Sequence, residues 1–150
     1  MARRSEQLTS AIDNAFAELE RSGGNLDRLP AILQTVVIIV SAQGVIDDGE
    51  LQYFFEDDFP NNPPYSLFAD AYRAIGADAA ANAIDSAVAL FPFTEPQLFK
   101  AKRNEFMASF VDEDGDPVDN PFERFSNQLC GNESIWQALE AFVARHPIAM

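Results

Sequence analysis

Residues 26–43, "LDRLPAILQTVVIIVSAQ", admit two structures, and the choice between them sets the architecture of the whole chain. The block "VVIIV", 36–40, is β-branched throughout, and branching at Cβ favours a pleated, half-buried surface. A strand, however, needs a partner with a similar run, and the rest of the sequence supplies none. The stretch is therefore read as a buried helix over about 27–43, with Asp27 as N-cap and Pro30 in the first turn, where its missing N–H is no loss.

Working outward, the other segments carry helical periodicity. Upstream, Leu8, Ile12, Ala15, Phe16 and Leu19 fall on one face, and "SGGN" at 22–25 stops the pattern. Downstream of Gly44, "DDGELQYFFEDDFP" at 47–60 is read as a short helix of its own, followed by the loop "PNNPP". Leu67, Phe68, Ala71, Tyr72 and Ile75 mark the next helix, closed by Gly76. A further one starts at about Asp78, runs inward through Ala80, Ala83, Ile84, Ala87, Val88 and Phe91, and stops at Pro92. "TEPQ", 94–97, has the form of a capping box with Thr94 as N-cap and Gln97 at N3, leading a helix with Leu98, Phe99, Phe106 and Phe110 inward. Asn120-Pro121 opens a short helix with Phe122, Phe125 and Leu129, and "GNES" leads into a last one with Ile135, Trp136, Leu139, Phe142 and Val143. The expectation is one all-α domain over 1–150, a globule of seven or eight helices.

A chain of 150 residues, 47% hydrophobic and holding 13 Phe, has material for a core without cross-links. Its single cysteine, Cys130, excludes an internal disulfide, and no Cys/His cluster is spaced to hold zinc. "MARRSEQLTS" lacks the apolar stretch of a secretory signal, and "AILQTVVIIVSA" is too short by itself to span a bilayer. A soluble cytoplasmic protein with no membrane association is expected.

Catalytic motifs are missing. His146 is the lone histidine and has no nucleophile paired with it by any motif, and no GxGxxG, P-loop or GxSxG occurs. Cys130 reads as a small packed residue. The loop from Asp112 places acids at positions 1, 3 and 5 and Glu123 at position 12 of a calcium loop, but position 6, which needs glycine, is Pro117, and Gly115 comes two residues early. Neither a metal nor a cofactor is predicted, beyond weak adventitious cation binding at 112–123. A cation-dependent hydrolase using clustered carboxylates stays open as an alternative.

Charge is the informative property. Twenty-four acids face 10 Lys plus Arg, for a net charge of −14, which disfavours direct nucleic-acid binding and anionic membranes and attracts basic partners. Residues 44–58 carry Asp47, Asp48, Glu50, Glu56, Asp57 and Asp58 without a base, and 104–123 hold seven acids without a base, among them Asp112, Glu113, Asp114, Asp116 and Asp119. A merely solvated face mixes signs to relieve repulsion. Duplex DNA presents one charge per roughly 1.7 Å of axis, and carboxylates one helical turn apart are spaced by about 5.4 Å, so rows of acids on neighbouring helices can imitate phosphates.

"QGVIDDGELQYFFED" with "FADAYRAIGADAAANAIDSAVALFP" resembles the bacterial DNA-mimic protein family, a domain otherwise of unknown function, over roughly residues 30–145. That family has an Asn-Gly-Gly-Phe element before Gln-Tyr-Phe, a nearby Asn, and an Ile-Gly-Ala turn between two helices. Gln52, Tyr53 and Phe54 match the centre, and Ile75, Gly76 and Ala77 match the turn. The first element is reduced to "DDGEL" with Gly49 kept, and an acid replaces the Asn. The resemblance implies an all-helical fold and an acidic surface that occupies a helix-turn-helix regulator in place of DNA.

The reading is thus a non-enzymatic acidic protein, monomer or homodimer, binding a basic DNA-binding protein through the eleven acids named above; an immunity-type inhibitor of a basic nuclease toxin is the alternative in the same class. Tyr53 and Phe54 are expected to pack inward, and Gln52 to satisfy backbone groups.

Overall fold

In a computed structural model the β-branched block is helical, and it forms the centre of the molecule. The structure describes residues 5–59, 62–116 and 118–146, so Met1 to Arg4, Pro60, Asn61, the Pro117 of the charged loop and Pro147 to Met150 lie outside the described residues. Among the described residues seven α-helices run in the order α1 (Glu6–Arg21), α2 (Ala31–Glu56), α3 (Tyr65–Ala74), α4 (Asp78–Val88), α5 (Lys100–Ala108), α6 (Glu123–Leu129) and α7 (Glu133–Arg145), with 3-10 turns at Leu26–Arg28 and Pro96–Leu98. There is no strand among the described residues, and the fold is an all-α single domain.

Helix α2 is the pillar. It packs against α1, α3, α5, α6 and α7, and Val36, Ile39, Ala42, Ile46, Leu51, Phe54 and Phe55 on it are fully buried. Because neighbours surround it, its hydrophobicity needs no narrow stripe, which is why the run lacks helical periodicity. By length and composition α2 could cross a bilayer, contrary to the length argument made from the shorter apolar run; here its apolar residues face the other helices.

Several boundaries differ from the sequence expectation. Asp27 does not cap α2: Asn25 caps the 3-10 turn by accepting from the Asp27 N–H at 3.1 Å, and α2 starts after Pro30. The segment after Gly44 is no separate helix but the continuation of α2 across a kink. Thr94 caps nothing, because Glu95 in a left-handed conformation (φ 50°) turns the chain and α5 begins only at Lys100. Leu98 and Phe99, expected inside, are 52% and 40% exposed, and the buried stripe of α5 is Arg103 and Met107.

The Ile75-Gly76-Ala77 turn is a Schellman cap. Ala77 N–H donates to Tyr72 O at 2.8 Å and Gly76 N–H to Arg73 O at 2.9 Å, closing the last carbonyls of α3. Gly76 sits at φ 84°, where a side chain would be strained, and buried Ile75 seals the turn. Arg73 then ties α3 to α4 by bonding Asp70, Asn82 and Asp85.

Candidate partner-binding surface

The acidic segment of α2 is shaped by a break in its backbone. Gly49 (φ −146°, ψ 24°) and Glu50 (φ 61°, ψ −166°) leave helical geometry, and the Glu50 conformation is one that only glycine adopts without strain. The break frees the backbone N–H of Leu51, which donates to the buried Ser126 hydroxyl on α6 at 3.2 Å. Tertiary packing therefore holds what local propensity opposes.

Just before the break, Asp47 is exposed yet engaged by the fold through three hydrogen bonds. Its Oδ1 accepts from Gln43 Nε2 at 2.7 Å and from Gly131 N–H at 2.8 Å, and its Oδ2 accepts from Trp136 Nε1 at 3.0 Å. The fully buried Gln43 amide also donates to Leu129 O (2.7 Å) and accepts from the Tyr72 hydroxyl (2.8 Å). Burial, and secondarily the Asp47 charge, push the Tyr72 phenol well above its ordinary range. Cys130, half-buried beside this network, has its thiol raised by burial and by the charges of Glu50 and Asp47, which disfavours a reactive thiolate.

Past the break, the three rings separate. Phe54 and Phe55 are fully buried, whereas Tyr53 is 49% exposed, which corrects its assignment to the core. A helix of 3.6 residues per turn cannot aim three consecutive side chains at one core. Gln52 donates to Glu56 Oε2 at 2.7 Å rather than to the backbone, and its Oε1 is buried without a partner among the described residues.

The end of α2 is gripped by Arg103, which is completely buried. Nε–H donates to Phe55 O (2.8 Å), Nη1 to Pro96 O (2.8 Å) and Gln97 O (3.0 Å), and Nη2 to Asp57 O (3.2 Å) and Asp58 Oδ1 (2.6 Å). All five guanidinium donors are used, and a cation sits where the helix macrodipole is negative. The segment without a base in sequence thus has one in space. Tyr65, close to Arg103 and Asp58, is pushed up to about 12, with burial the main cause.

Asp112 organises the second patch. Its Oδ1 accepts from the N–H groups of Asp114 and Asp116, both at 2.9 Å, and its own N–H donates to Asp116 O at 2.8 Å. Glu113, Asp114, Asp116 and Asp119 point to solvent from this folded loop. Both patches are rooted in the same rings: Phe122 lies 5.4 Å from Phe55 on α2 and 6.0 Å from Phe110, the residue leading into the loop.

The eleven acids named from sequence consequently divide. Asp47 and Asp112 accept structural hydrogen bonds, Glu56 is held by Gln52, and Asp58 is paired with Arg103. Asp48, Glu50, Asp57, Glu113, Asp114, Asp116 and Asp119 are exposed with no basic partner among the described residues. Among the described residues no three His, Cys, Asp or Glu side chains converge as for a metal ion. Sequence reasoning missed Arg103 and Gln43. The signal for Arg103 was its place in the stripe Phe99, Arg103, Phe106, Met107, where a base stands among apolar residues.

No curated protein and no solved structure matches this chain. Helix α1 packs on α2 and α7 from outside the matched family region, which begins at the 3-10 turn and ends after α7. With residues 27–146 matching the DMP19-like protein family, the chain belongs to that family.

Proposed function

We propose that this chain is a non-enzymatic acidic binding protein that acts in the cytoplasm by occupying the DNA-binding surface of a basic protein, with a helix-turn-helix regulator as the first candidate. The observation that carries the reading is the set of seven exposed carboxylates, without a basic partner among the described residues, mounted on a buried aromatic frame. Family membership supports it, since the family type is a DNA mimic. A rigid mount matters because charges already held apart against their mutual repulsion lose little entropy when a partner docks. Electrostatic pairing of this kind speeds association and makes affinity salt-dependent.

Affinity capture from source cells, followed by competition with duplex DNA, tests the proposal. The captured protein should bind DNA, and duplex DNA should displace it from this chain. Neutralising Glu50, Asp57 and Asp114 together should weaken the complex and flatten its salt dependence, while Asp58→Asn should act through stability instead. A partner that binds DNA and this chain simultaneously refutes the reading, and a captured nuclease whose activity is blocked redirects it to the immunity-type alternative.

A further inference from the structure

Tyr53 is a large ring left outside in a segment whose neighbouring rings are fully buried. It is held flat. A Cβ built on Gly49 would strike its Cγ and both Cδ atoms, so the near end of the ring lies over the bare Cα of the residue one turn earlier. One face therefore rests on the kinked backbone, and the opposite face is turned to solvent. Glu50 precedes it by three residues at the kink, and Asp57, the C-cap of α2, follows it by four with its N–H on Tyr53 O; both are exposed and unpaired among the described residues. The ring cations of the described structure are elsewhere, with Lys102 over Phe99 (4.7 Å) and Arg124 over Phe125 (4.6 Å).

An open aromatic face attracts cations through its quadrupole, and a planar guanidinium both stacks on a ring and offers donors at its edge to carboxylates. An ammonium does the first less well and has no planar edge for the second. From this geometry we propose that Tyr53 is the anchor of the partner interface, receiving an arginine side chain of the basic partner on its outward face while Glu50 and Asp57 accept that guanidinium's N–H groups. This rests on the basic-partner reading above and adds the chemistry by which the partner is selected, arginine over lysine.

The test uses two helical peptides of equal length and charge, one arginine-rich and one lysine-rich, titrated calorimetrically into the intact chain at low salt. The wild type should prefer the arginine peptide by about threefold to tenfold. Tyr53→Ala, which leaves the charge unchanged, should remove that preference, and Tyr53→Phe should keep it. Gly49→Ala should lower it as well, because the new methyl dislodges the ring without deleting it. An unchanged preference in Tyr53→Ala overturns the anchor while leaving the charge-based reading intact, and a wild type that binds neither peptide overturns both. Loss of the preference in Tyr53→Phe overturns it too, since the hydroxyl rather than the ring face would then be the determinant.

Discussion

Replacing Arg103 by Met keeps the aliphatic stem and removes the guanidinium, so it isolates what the five donated hydrogen bonds do. Four carbonyls, those of Phe55, Asp57, Pro96 and Gln97, and one Asp58 oxygen lose their donor. Orphaning a buried acceptor costs about 1–3 kcal/mol, and the low end applies here, because the partly exposed Asp58 and the rim of the site can take up water. Roughly 3–5 kcal/mol of stability should be lost, the range known for breaking a buried ion pair. For a chain of this size that lowers the midpoint by roughly 10–15 °C. Urea unfolding followed by far-UV circular dichroism measures the loss. Arg103→Lys should fall between wild type and Arg103→Met, since an ammonium keeps the charge without the fork that reaches carbonyls on two segments. A loss below about 1.5 kcal/mol for Arg103→Met would refute the idea that this side chain clamps α2 to the turn before α5. Raising salt should change little, because screening acts weakly on a buried contact.

Three further outcomes are expected. Phe54→Ala should cost roughly 3–5 kcal/mol, because the fully buried ring touches Phe55, Phe59, Tyr65 and Phe68 at centroid distances of 5.2–5.6 Å; a loss under about 1 kcal/mol would contradict that packing. Glu50→Gly should stabilise by about 1 kcal/mol, since relief of about 1–3 kcal/mol of backbone strain exceeds the added unfolded-state entropy, and destabilisation in the same urea assay would show that the kink is not strained. At high pH, Tyr65 and Tyr72 favour their neutral forms in the fold, with Tyr65 moved from 10.0 to about 12, so stability present below pH 10 should decline as pH rises through 10 towards 12. Tyr65→Phe should flatten that decline, and an unaltered slope would count against the buried phenol.

The all-α architecture was readable because one negative observation, no partner for the β-branched run, outweighed the propensity of residues 36–40. What was not readable depended on contacts distant in sequence. Ser126 caps Leu51 across 75 residues, and that contact lets α2 resume after Glu50 instead of ending there. The acids were visible as a cluster, yet composition could not say that Asp47 would bond Trp136 and Gly131, or that Asp58 would meet Arg103. The order "QYFF" places one ring outside by helical geometry, but choosing Tyr53 over Phe55 required the phase of the helix after the kink, and the kink itself was hidden. Gly49 was legible as a kept glycine; its use, making room for a ring, belongs to the side chain one turn later.

Trp136 is the single tryptophan of the chain, and its indole N–H is bonded to the carboxylate of Asp47, two residues before the break in α2. That bond makes the protein its own spectroscopic reporter. Indole emission depends on the polarity and charge around the ring, so any event that shifts the kink, whether a cation drawn to Glu50 or a docking partner, should move the emission of one fluorophore at a known place. Events confined to the Asp112 loop, which is closed by its own hydrogen bonds among Asp112, Asp114 and Asp116, should leave it unmoved. Two acidic patches that electrostatics alone would treat as one are therefore separable by light, without a label.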